Sequence, residues 1–182
     1  MTSKKQKQLE EKAKQSMIDR EFLRESNYIE REYRGFALED AVEAWNYLKT
    51  RKALYIEEIL EMHRILMRNT YPQIAGHFRD CDVFIGGERK VFLSQIALRK
   101  EVQGVVGQMF STLPLGTTQD KEALAKKVHV AFEEVHPFQD GNGRIGRMLY
   151  NYHRLKLGLP VHVIHEGLEQ MEYYKWFAKE NI

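Results

Sequence analysis

The residues best suited to chemistry lie in one stretch of twelve, from His136 to Arg147, which reads HPFQDGNGRIGR. It combines a potential base, a carboxylate, a glycine-framed turn and two arginines. Two glycines bracket an asparagine just before a helical pattern resumes, so main-chain N–H groups at a helix N-terminus can face an anion. Arg144 and Arg147 are three positions apart and therefore share one face of that helix. The stretch predicts a phosphate-binding site.

A nucleoside triphosphate needs a cation, donors that cradle its phosphates, and arginines that neutralise charge moving onto the leaving group. The stretch has a candidate for each role: Asp140 as a hard oxygen ligand for Mg2+, the N–H groups of Gly141 to Gly143 with the Asn142 side chain as an anion nest, and Arg144 and Arg147 on the distal phosphates. His136 lies outside the helix and has the ordinary pKa of a base at neutral pH. The inferred reaction is attack of an alcohol on phosphorus.

Each of these residues also has a plain structural explanation. A histidine beside Pro-Phe is commonly a satisfied structural residue, Asp140 to Gly143 is compatible with a tight turn, and two arginines three apart often lie on a solvated face. Only their joint occurrence in this order favours the chemical interpretation.

Composition narrows the class of protein. The 182 residues suffice for one well-buried domain, and 28 basic against 26 acidic residues give a net charge of +2, too little to favour nucleic acid as a partner. Cys81 is the single cysteine, which excludes an intramolecular disulfide and fits a reducing compartment. No apolar run approaches the length of a membrane span, and residues 1–20 are rich in Lys, Glu and Gln. We therefore expect a cytoplasmic protein that binds neither nucleic acid nor membrane.

Helical periodicity dominates the chain. Apolar residues recur at helical spacing in four stripes: Leu38, Val42, Trp45 and Leu48; Tyr55, Ile59, Met62 and Leu66; Leu124, Val128, Phe132 and Val135; and Ile145, Leu149 and Tyr152. The last stripe ends before Gly158 and Pro160, typical of a cap followed by a helix breaker. These stripes predict a helical core.

The segment from Cys81 to Leu93 departs from this periodicity. Two short β-prone runs flank Gly86-Gly87, which predicts a hairpin. Because an isolated hairpin is only marginally stable, it must either pack on the helical body as decoration or serve as a flap over a site. Pattern alone leaves both alternatives open.

The order His-x-Phe-x-Asp/Glu-Gly-Asn-Gly-Arg-x-x-Arg resembles the signature of the Fic (filamentation induced by cAMP) family at every specified position from His136 to Arg147. The resemblance extends from about Ser26 to the C-terminus. It implies an all-α Fido fold with a β-hairpin flap, and transfer of AMP from Mg-ATP to a Ser, Thr or Tyr hydroxyl of a target protein. Self-modification is one possible form of that reaction.

The resemblance also implies individual roles. His136 is the expected general base and Asp140 the Mg2+ ligand, while Phe138 is the expected core anchor of the loop. The expected phosphate-binding residues are Gly141, Asn142, Gly143, Arg144 and Arg147.

Beyond the central motif, the hairpin becomes an expected flap along which the target protein binds as an added strand. Val83, Phe84, Ile85 and Gly86 are expected to line the nucleotide and target cleft, and Gly76-His77-Phe78-Arg79 resembles the Gly-x-x-Arg that leads into the flap. Tyr173, Tyr174 and Asn181 are expected on the adenine side. Their alternative is an amphipathic helix with an aromatic face and a frayed end.

Ser26-Asn27-Tyr28-Ile29-Glu30 resembles the inhibitory helix of the family, Ser/Thr-x-x-x-Glu-Gly/Asn. Paired with Arg147, the Glu30 carboxylate would occupy the charge partner of the γ-phosphate. The chain departs from the pattern at Arg31, where Gly or Asn is usual. A capping box formed by Asn27 and Glu30 at a helix N-terminus is a competing explanation.

We therefore expect a charged extension over 1–20 and a single Fic domain over 21–182, with an inhibitory-like helix at about 26–35, a flap at about 81–93 and the catalytic loop at 136–147. Alternative functions are transfer of another phosphate-containing group, removal of AMP, or a non-catalytic, toxin-like interaction protein. A DNA-binding helical module is less favoured, since the basic residues are scattered.

Overall fold

The computed structural model describes residues 2–85, 88–91, 93–110 and 116–178. Within these ranges the chain forms seven α-helices and one two-stranded antiparallel sheet, which confirms the expected all-α class with a small hairpin. The elements, in order, are α1 (Thr2–Ile29), α2 (Gly35–Lys49), α3 (Ile56–Met67), β1 (Val83–Ile85), β2 (Glu88–Lys90), α4 (Gln95–Gln108), α5 (Thr118–Val135), α6 (Asn142–Lys156) and α7 (Leu168–Tyr174), followed by a 3-10 turn (Lys175–Phe177). None of the helices in these ranges is long and apolar enough to cross a membrane.

The core forms where the apolar faces of α2 to α6 meet. The helical stripes predicted from the sequence supply much of it: Trp45, Leu48, Ile59, Met62, Leu66, Val128, Phe132, Ile145, Leu149 and Tyr152 are all buried. Removing such side chains from water is the main favourable contribution to folding. This core supports α5 and α6 side by side, with the loop between them at one end.

The two parts of helix α1 differ in their exposure to solvent. Residues 4–17 are exposed, and only from about Asp19 onward do side chains pack on the body, with Phe22, Leu23 and Ile29 buried. Lys49 Nζ lies 2.6 Å from Asp19 Oδ2 and attaches α1 to α2. The polar extension expected over 1–20 is therefore mostly helical surface, and its C-terminal continuation is held in place.

The hairpin pairs Val83 with Lys90, Phe84 with Arg89 and Ile85 with Glu88. Successive side chains on a strand alternate between faces, and accordingly Val83 is buried while Phe84 is 68% exposed. The predicted hairpin is confirmed. Gly86, expected to line the cleft, lies outside the described residues.

Candidate active site

The α5–α6 loop is held by unusual backbone geometry at both ends. His136 ends α5 in the left-handed region with φ of 47°, and Gly141 precedes α6 with φ of 81°. A Cβ on Gly141 would meet Met67 Sδ at 3.0 Å, in a conformation that L-residues disfavour. This geometry turns the chain sharply into α6, whose first N–H groups have no acceptor within the helix itself.

Buried Arg79 joins the loop to the base of the hairpin. Its main-chain N–H donates to Pro137 O at 2.9 Å, its Nε donates to His136 O at 2.9 Å, and its Nη1 donates to Cys81 O at 2.9 Å. Both Nη groups also lie 3.2 Å from Val91 O. Arg79 thus fixes the loop and both hairpin ends relative to one another.

Phe138 is fully buried, as expected for the anchor of the loop. The Asn142 side chain is committed to it: Oδ1 accepts from Phe138 N and Nδ2 donates to Phe138 O, both at 2.8 Å. Both polar atoms of the Asn142 side chain therefore close the loop, and its expected part in the anion nest stays a prediction that would use the second N–H of Nδ2. Its main-chain N–H, in the first turn of α6, remains available to an anion.

His63, on α3, is a structural partner of the loop that the sequence analysis missed. Its ring stacks on Phe138, with centroids 3.8 Å apart. Nδ1 accepts from Gly76 N at 3.0 Å, so Nε2 carries the proton and donates to Asp140 O at 3.1 Å. Burial lowers the pKa of His63 to about 4, which keeps the ring neutral. Nothing in the sequence distinguishes it from its apolar neighbours on α3 except its being a histidine.

His136 is placed to act as a base. Nδ1 lies 3.3 Å from the main-chain oxygen of Glu133, while Nε2 has no hydrogen-bond partner among the described residues. Burial lowers the pKa of His136 below its usual value, so the ring is neutral at pH 7. With Nδ1–H donating inward, the Nε2 lone pair is free to accept a proton.

Arg144 is buried beside the start of α6, and its Nε and Nη1 are shielded from solvent and have no hydrogen-bond partner in the described parts of the chain. It faces a cavity of about 400 Å3 that Glu30, Asp140 and Tyr71 also line. Leaving N–H donors of a buried guanidinium without partners is costly, and an anion bound beside them would offset that cost. The expected phosphate-binding role of Arg144 stays a prediction.

Asp140 satisfies the chemistry of a Mg2+ ligand. Its side chain is 49% exposed at the cavity; Oδ1 accepts from Gly141 N and lies 3.7 Å from Arg144 Nη2, while Oδ2 has no partner among the described residues. No group of three or more metal-ligating side chains occurs in the described parts of the chain. A Mg2+ ion here would depend on Asp140, phosphate oxygens and water, which suits its usual coordination.

Arg147 is buried, and its guanidinium contacts residues of α1, of the turn after α1 and of α7. Nε donates to Ser26 Oγ at 2.8 Å, and Nη2 donates to Ser26 O at 2.8 Å and to Glu30 Oε1 at 2.7 Å. Nη1 lies 3.4 Å from Tyr173 Oη. The expected contact between Glu30 and Arg147 is present. Although burial favours the neutral acid, the charge and hydrogen bond of Arg147 prevail and hold the pKa of Glu30 below its usual value.

Glu30 lies at a helix end rather than inside a helix. Arg31 N donates to Tyr28 O at 2.8 Å and Glu32 N to Asn27 O at 2.9 Å, the two bonds of a Schellman cap with Arg31 at its left-handed position, φ 57°. The helix expected over about 26–35 is thus the last turn of α1 plus the turn that follows it. Because Asn27 lies at a helix C-terminus, the capping-box alternative is wrong.

The two tyrosines expected on the adenine side lie in different environments. Tyr173 is buried behind Arg147, with its hydroxyl 2.9 Å from His129 Nε2, whereas Tyr174 is half exposed and its hydroxyl accepts from Gln170. Asn181 lies outside the described residues. Of the pair, only Tyr174 is accessible to a ligand in this arrangement.

A model of the Fic/DOC family matches residues 53–153, and the chain belongs to that family. It is 33% identical over 126 residues to protein adenylyltransferase fic-1 of Caenorhabditis elegans, an alignment covering 69% of this chain and 24% of the relative. It is 27% identical over 139 residues to protein adenylyltransferase Fic of Nematostella vectensis, covering 74% of this chain and 30% of the relative. The chain therefore spans less than a third of the length of these relatives.

Solved structures show the same fold. Fic-1 (residues 134–508) from C. elegans aligns with a TM-score of 0.62 at 26% identity, over 76% of this chain and 41% of that one. A Fic domain containing signaling protein from Bacteroides thetaiotaomicron aligns with a TM-score of 0.65 at 19% identity, over 88% of this chain and 70% of that one. The second likeness concerns the fold alone.

Proposed function

We propose that this chain transfers AMP from Mg-ATP to a hydroxyl group of a target protein, itself included, and that Glu30 restrains the transfer. The observation that carries the proposal is that a group able to bind an anion and a group able to accept a proton lie at the same helix N-terminus. Arg144 lines the cavity beside the α6 N-terminus and its shielded Nε and Nη1 have no hydrogen-bond partner among the described residues, while the His136 imidazole has an Nε2 lone pair without one. A phosphate chain bound by the first and a hydroxyl facing the second would meet at the α6 N-terminus.

In the proposed reaction the target oxygen attacks the α-phosphorus, and the new O–P bond forms as the bond to pyrophosphate breaks. Nε2 of His136 takes the hydroxyl proton, which makes the oxygen a better nucleophile. Arg144 and the N–H groups of Gly141 to Gly143 neutralise charge on the phosphates. Mg2+, held by Asp140 and phosphate oxygens, would neutralise further charge when bound. Arg147, once free of Glu30, would bind the distal phosphate.

The proposed restraint follows from the donors of Arg147. Ser26 and Glu30 occupy both Nη2 donors and Nε, so a γ-phosphate competes with an ion pair already formed between buried Arg147 and a Glu30 side chain that is 38% exposed. ATP then binds without its distal phosphate seated. Displacement of Glu30 is the step that would switch the site on.

The hairpin supports a protein as the acceptor. Phe84 is exposed on β1, and Arg79 fixes the hairpin base to the catalytic loop. A target segment added along this two-stranded sheet would bring one of its side chains to the loop. Val83, whose side chain turns toward the body, would contribute to the inner wall of the cleft.

The test is transfer of label from α-labelled ATP to protein. We expect little transfer by the wild type, at least tenfold more by Glu30→Gly, and none by Glu30→Gly combined with His136→Ala. The control is Glu39→Gln, which breaks an exposed ion pair between Arg20 on α1 and Glu39 on α2 and should behave like the wild type. A folded Glu30→Gly protein that labels neither itself nor any lysate protein would contradict the transferase. Equal labelling by wild type and Glu30→Gly would contradict the restraint.

A further inference from the structure

Glu133 is a buried carboxyl that the proposed reaction does not use. It lies on the last turn of α5, three residues before His136, and is 8% exposed. Oε1 is shielded from solvent and has no hydrogen-bond partner among the residues that the structure describes. Burial raises the pKa of Glu133 to about 8. Burying a carboxyl group without a hydrogen-bond partner lowers the stability of the fold, so we expect this group to have a function.

Gly146 provides the space in which this carboxyl lies. A Cβ on Gly146 would come within 2.0 Å of Glu133 Oε1 and 3.1 Å of His129 Cε1. Any side chain at 146 would therefore displace the carboxyl. Gly146 on α6 therefore leaves the room that the Glu133 carboxyl on α5 occupies.

His136 meets Glu133 through two oxygens. Nδ1 of the ring lies 3.3 Å from the main-chain oxygen of Glu133 and 3.8 Å from its Oε2. Both contacts are on the inner edge of the ring, opposite the free Nε2. Positive charge gained by the ring at Nε2 would therefore face a carboxyl.

We propose that Glu133, seated against Gly146, is a positioning residue for His136: its main-chain oxygen accepts from Nδ1–H and so leaves Nε2 toward the target hydroxyl, and its carboxyl, 3.8 Å from Nδ1, stabilises the imidazolium formed when Nε2 takes the proton. This inference rests on the proposed AMP transfer. The charged and titratable groups around the carboxyl are His129 and His136 on α5, Arg147 on α6, Tyr173 on α7 and Glu30 after α1. Since Glu30 raises the pKa of Glu133 and Arg147 lowers it, withdrawal of Glu30 favours the ionised carboxyl.

The activity test uses the Glu30→Gly background. Glu133→Gln keeps the shape of the side chain and cannot ionise, so we expect kcat to fall roughly tenfold or more, in the range found for residues that orient a catalytic group, with little change in KM for ATP. The parent should gain activity through an inflection at or below about pH 8, and Glu133→Gln should lack it. Glu134→Gln, at the exposed neighbouring position, is the matched control.

Gly146→Ala tests the seat independently. It should lower kcat as Glu133→Gln does, and adding it to Glu133→Ala should cost little more, because the group it would displace is already gone. Glu133→Gln with the kcat and pH profile of Glu134→Gln would overturn the proposal. Should Gly146→Ala fail to fold, the pH profile of Glu133→Gln still decides.

Ring nitrogen shifts of His136, measured by NMR across pH in the wild type, give a readout that needs no turnover. We expect an inflection near pH 8, from Glu133, in addition to the titration of the ring itself, and its loss in Glu133→Gln. A Glu30→Gly parent without AMP transfer would refute the proposed function and leave this measurement intact. A His136 ring insensitive to Glu133 would refute the positioning role whatever the activity.

Discussion

A Cβ atom on Gly143 would lie 2.1 Å from Glu30 Oε1 and 3.0 Å from Arg147 Nη1. The side chain of Glu30 thus occupies the space that any larger residue at position 143 would need. Gly143 is also in the first turn of α6, so the Glu30 carboxylate lies close to the N–H groups that we propose bind a phosphate.

This shared volume predicts coupling between Gly143 and Glu30. Gly143→Ala should lower the free energy of unfolding of the wild type by about 1–3 kcal/mol, the usual cost of overpacking. In the Glu30→Gly background the same change should cost less, or become stabilising, since Ala favours helix over Gly. Denaturant unfolding of the four proteins measures the coupling, and equal costs in both backgrounds would show that the two residues do not compete.

The Schellman cap predicts that Arg31→Gly stabilises the protein. Arg31 adopts φ of 57°, which disfavours any residue with a Cβ, so glycine should gain roughly 1 kcal/mol. Chemical denaturation would measure the gain. Arg24→Gly, inside α1, is the control and should destabilise by a similar amount. A destabilised Arg31→Gly protein would mean that contacts of the arginine outweigh the strain of its backbone.

His153 predicts a specific pH dependence of stability. It is buried, neither ring nitrogen has a hydrogen-bond partner within the described ranges, and burial lowers its pKa to about 4. Between that value and the ordinary pKa of histidine the unfolded chain binds the extra proton, so this residue destabilises the fold as pH falls. His153→Leu should reduce the slope of unfolding free energy against pH near pH 5 by about 1 kcal/mol per unit.

The measurement for His153 is urea unfolding at several pH values from 7 to 5. His165→Gln is the control, because that histidine is half exposed and ion pairs with Glu21 and Glu169 raise its pKa. Removing His165 should therefore change the slope in the opposite direction. A His153→Leu protein with the wild-type slope would indicate that the ring is protonated in the folded state.

Tyr173 predicts a loss of stability from removing a single oxygen. Its hydroxyl lies within hydrogen-bonding distance of His129 Nε2 and Arg147 Nη1, and Tyr173→Phe leaves both without this partner in a buried site. We expect a cost of about 1–3 kcal/mol. Tyr174→Phe, whose hydroxyl accepts from Gln170 at an exposed position, should change stability by less than about 0.5 kcal/mol. Thermal unfolding of both variants provides the comparison.

Asp140 predicts the metal dependence of the reaction. In the Glu30→Gly background, Asp140→Asn should raise the Mg2+ concentration needed for half-maximal AMP transfer by about tenfold, because Mg2+ prefers a charged oxygen ligand. Asparagine can still accept from Gly141 N, so the loop should remain folded. Asp80→Asn, at an exposed position upstream of the hairpin, is the control. An unchanged Mg2+ requirement would exclude Asp140 as the ligand.

Much of this arrangement could be predicted because it follows periodicity and local order. The helical stripes placed the core, Gly86-Gly87 marked the hairpin, and the uninterrupted motif from His136 to Arg147 drew attention to the loop. The pairing of Glu30 with Arg147 required the resemblance to the family, since 117 positions separate the two residues.

What could not be predicted depends on tertiary packing. The sequence does not show that the Asn142 side chain closes on Phe138, that His63 stacks beneath the same ring, or that Glu133 lies against Gly146. Likewise, the residues around Glu30 looked like the start of a helix, while the two hydrogen bonds of the Schellman cap make them its end. Each of these features depends on which polar atoms come into contact, and that is determined by how the chain packs in three dimensions.

The closure of Asn142 on Phe138 has a thermodynamic consequence for nucleotide binding. Its two hydrogen bonds, with the His63 ring stacked on Phe138, hold the α5–α6 loop in one shape without any bound phosphate. Ordering a loop on binding costs conformational entropy, which weakens affinity, whereas a preorganised receptor avoids that loss. If the loop keeps this shape when it binds, the proposed control of ATP binding depends on the Glu30 carboxylate rather than on ordering of the loop.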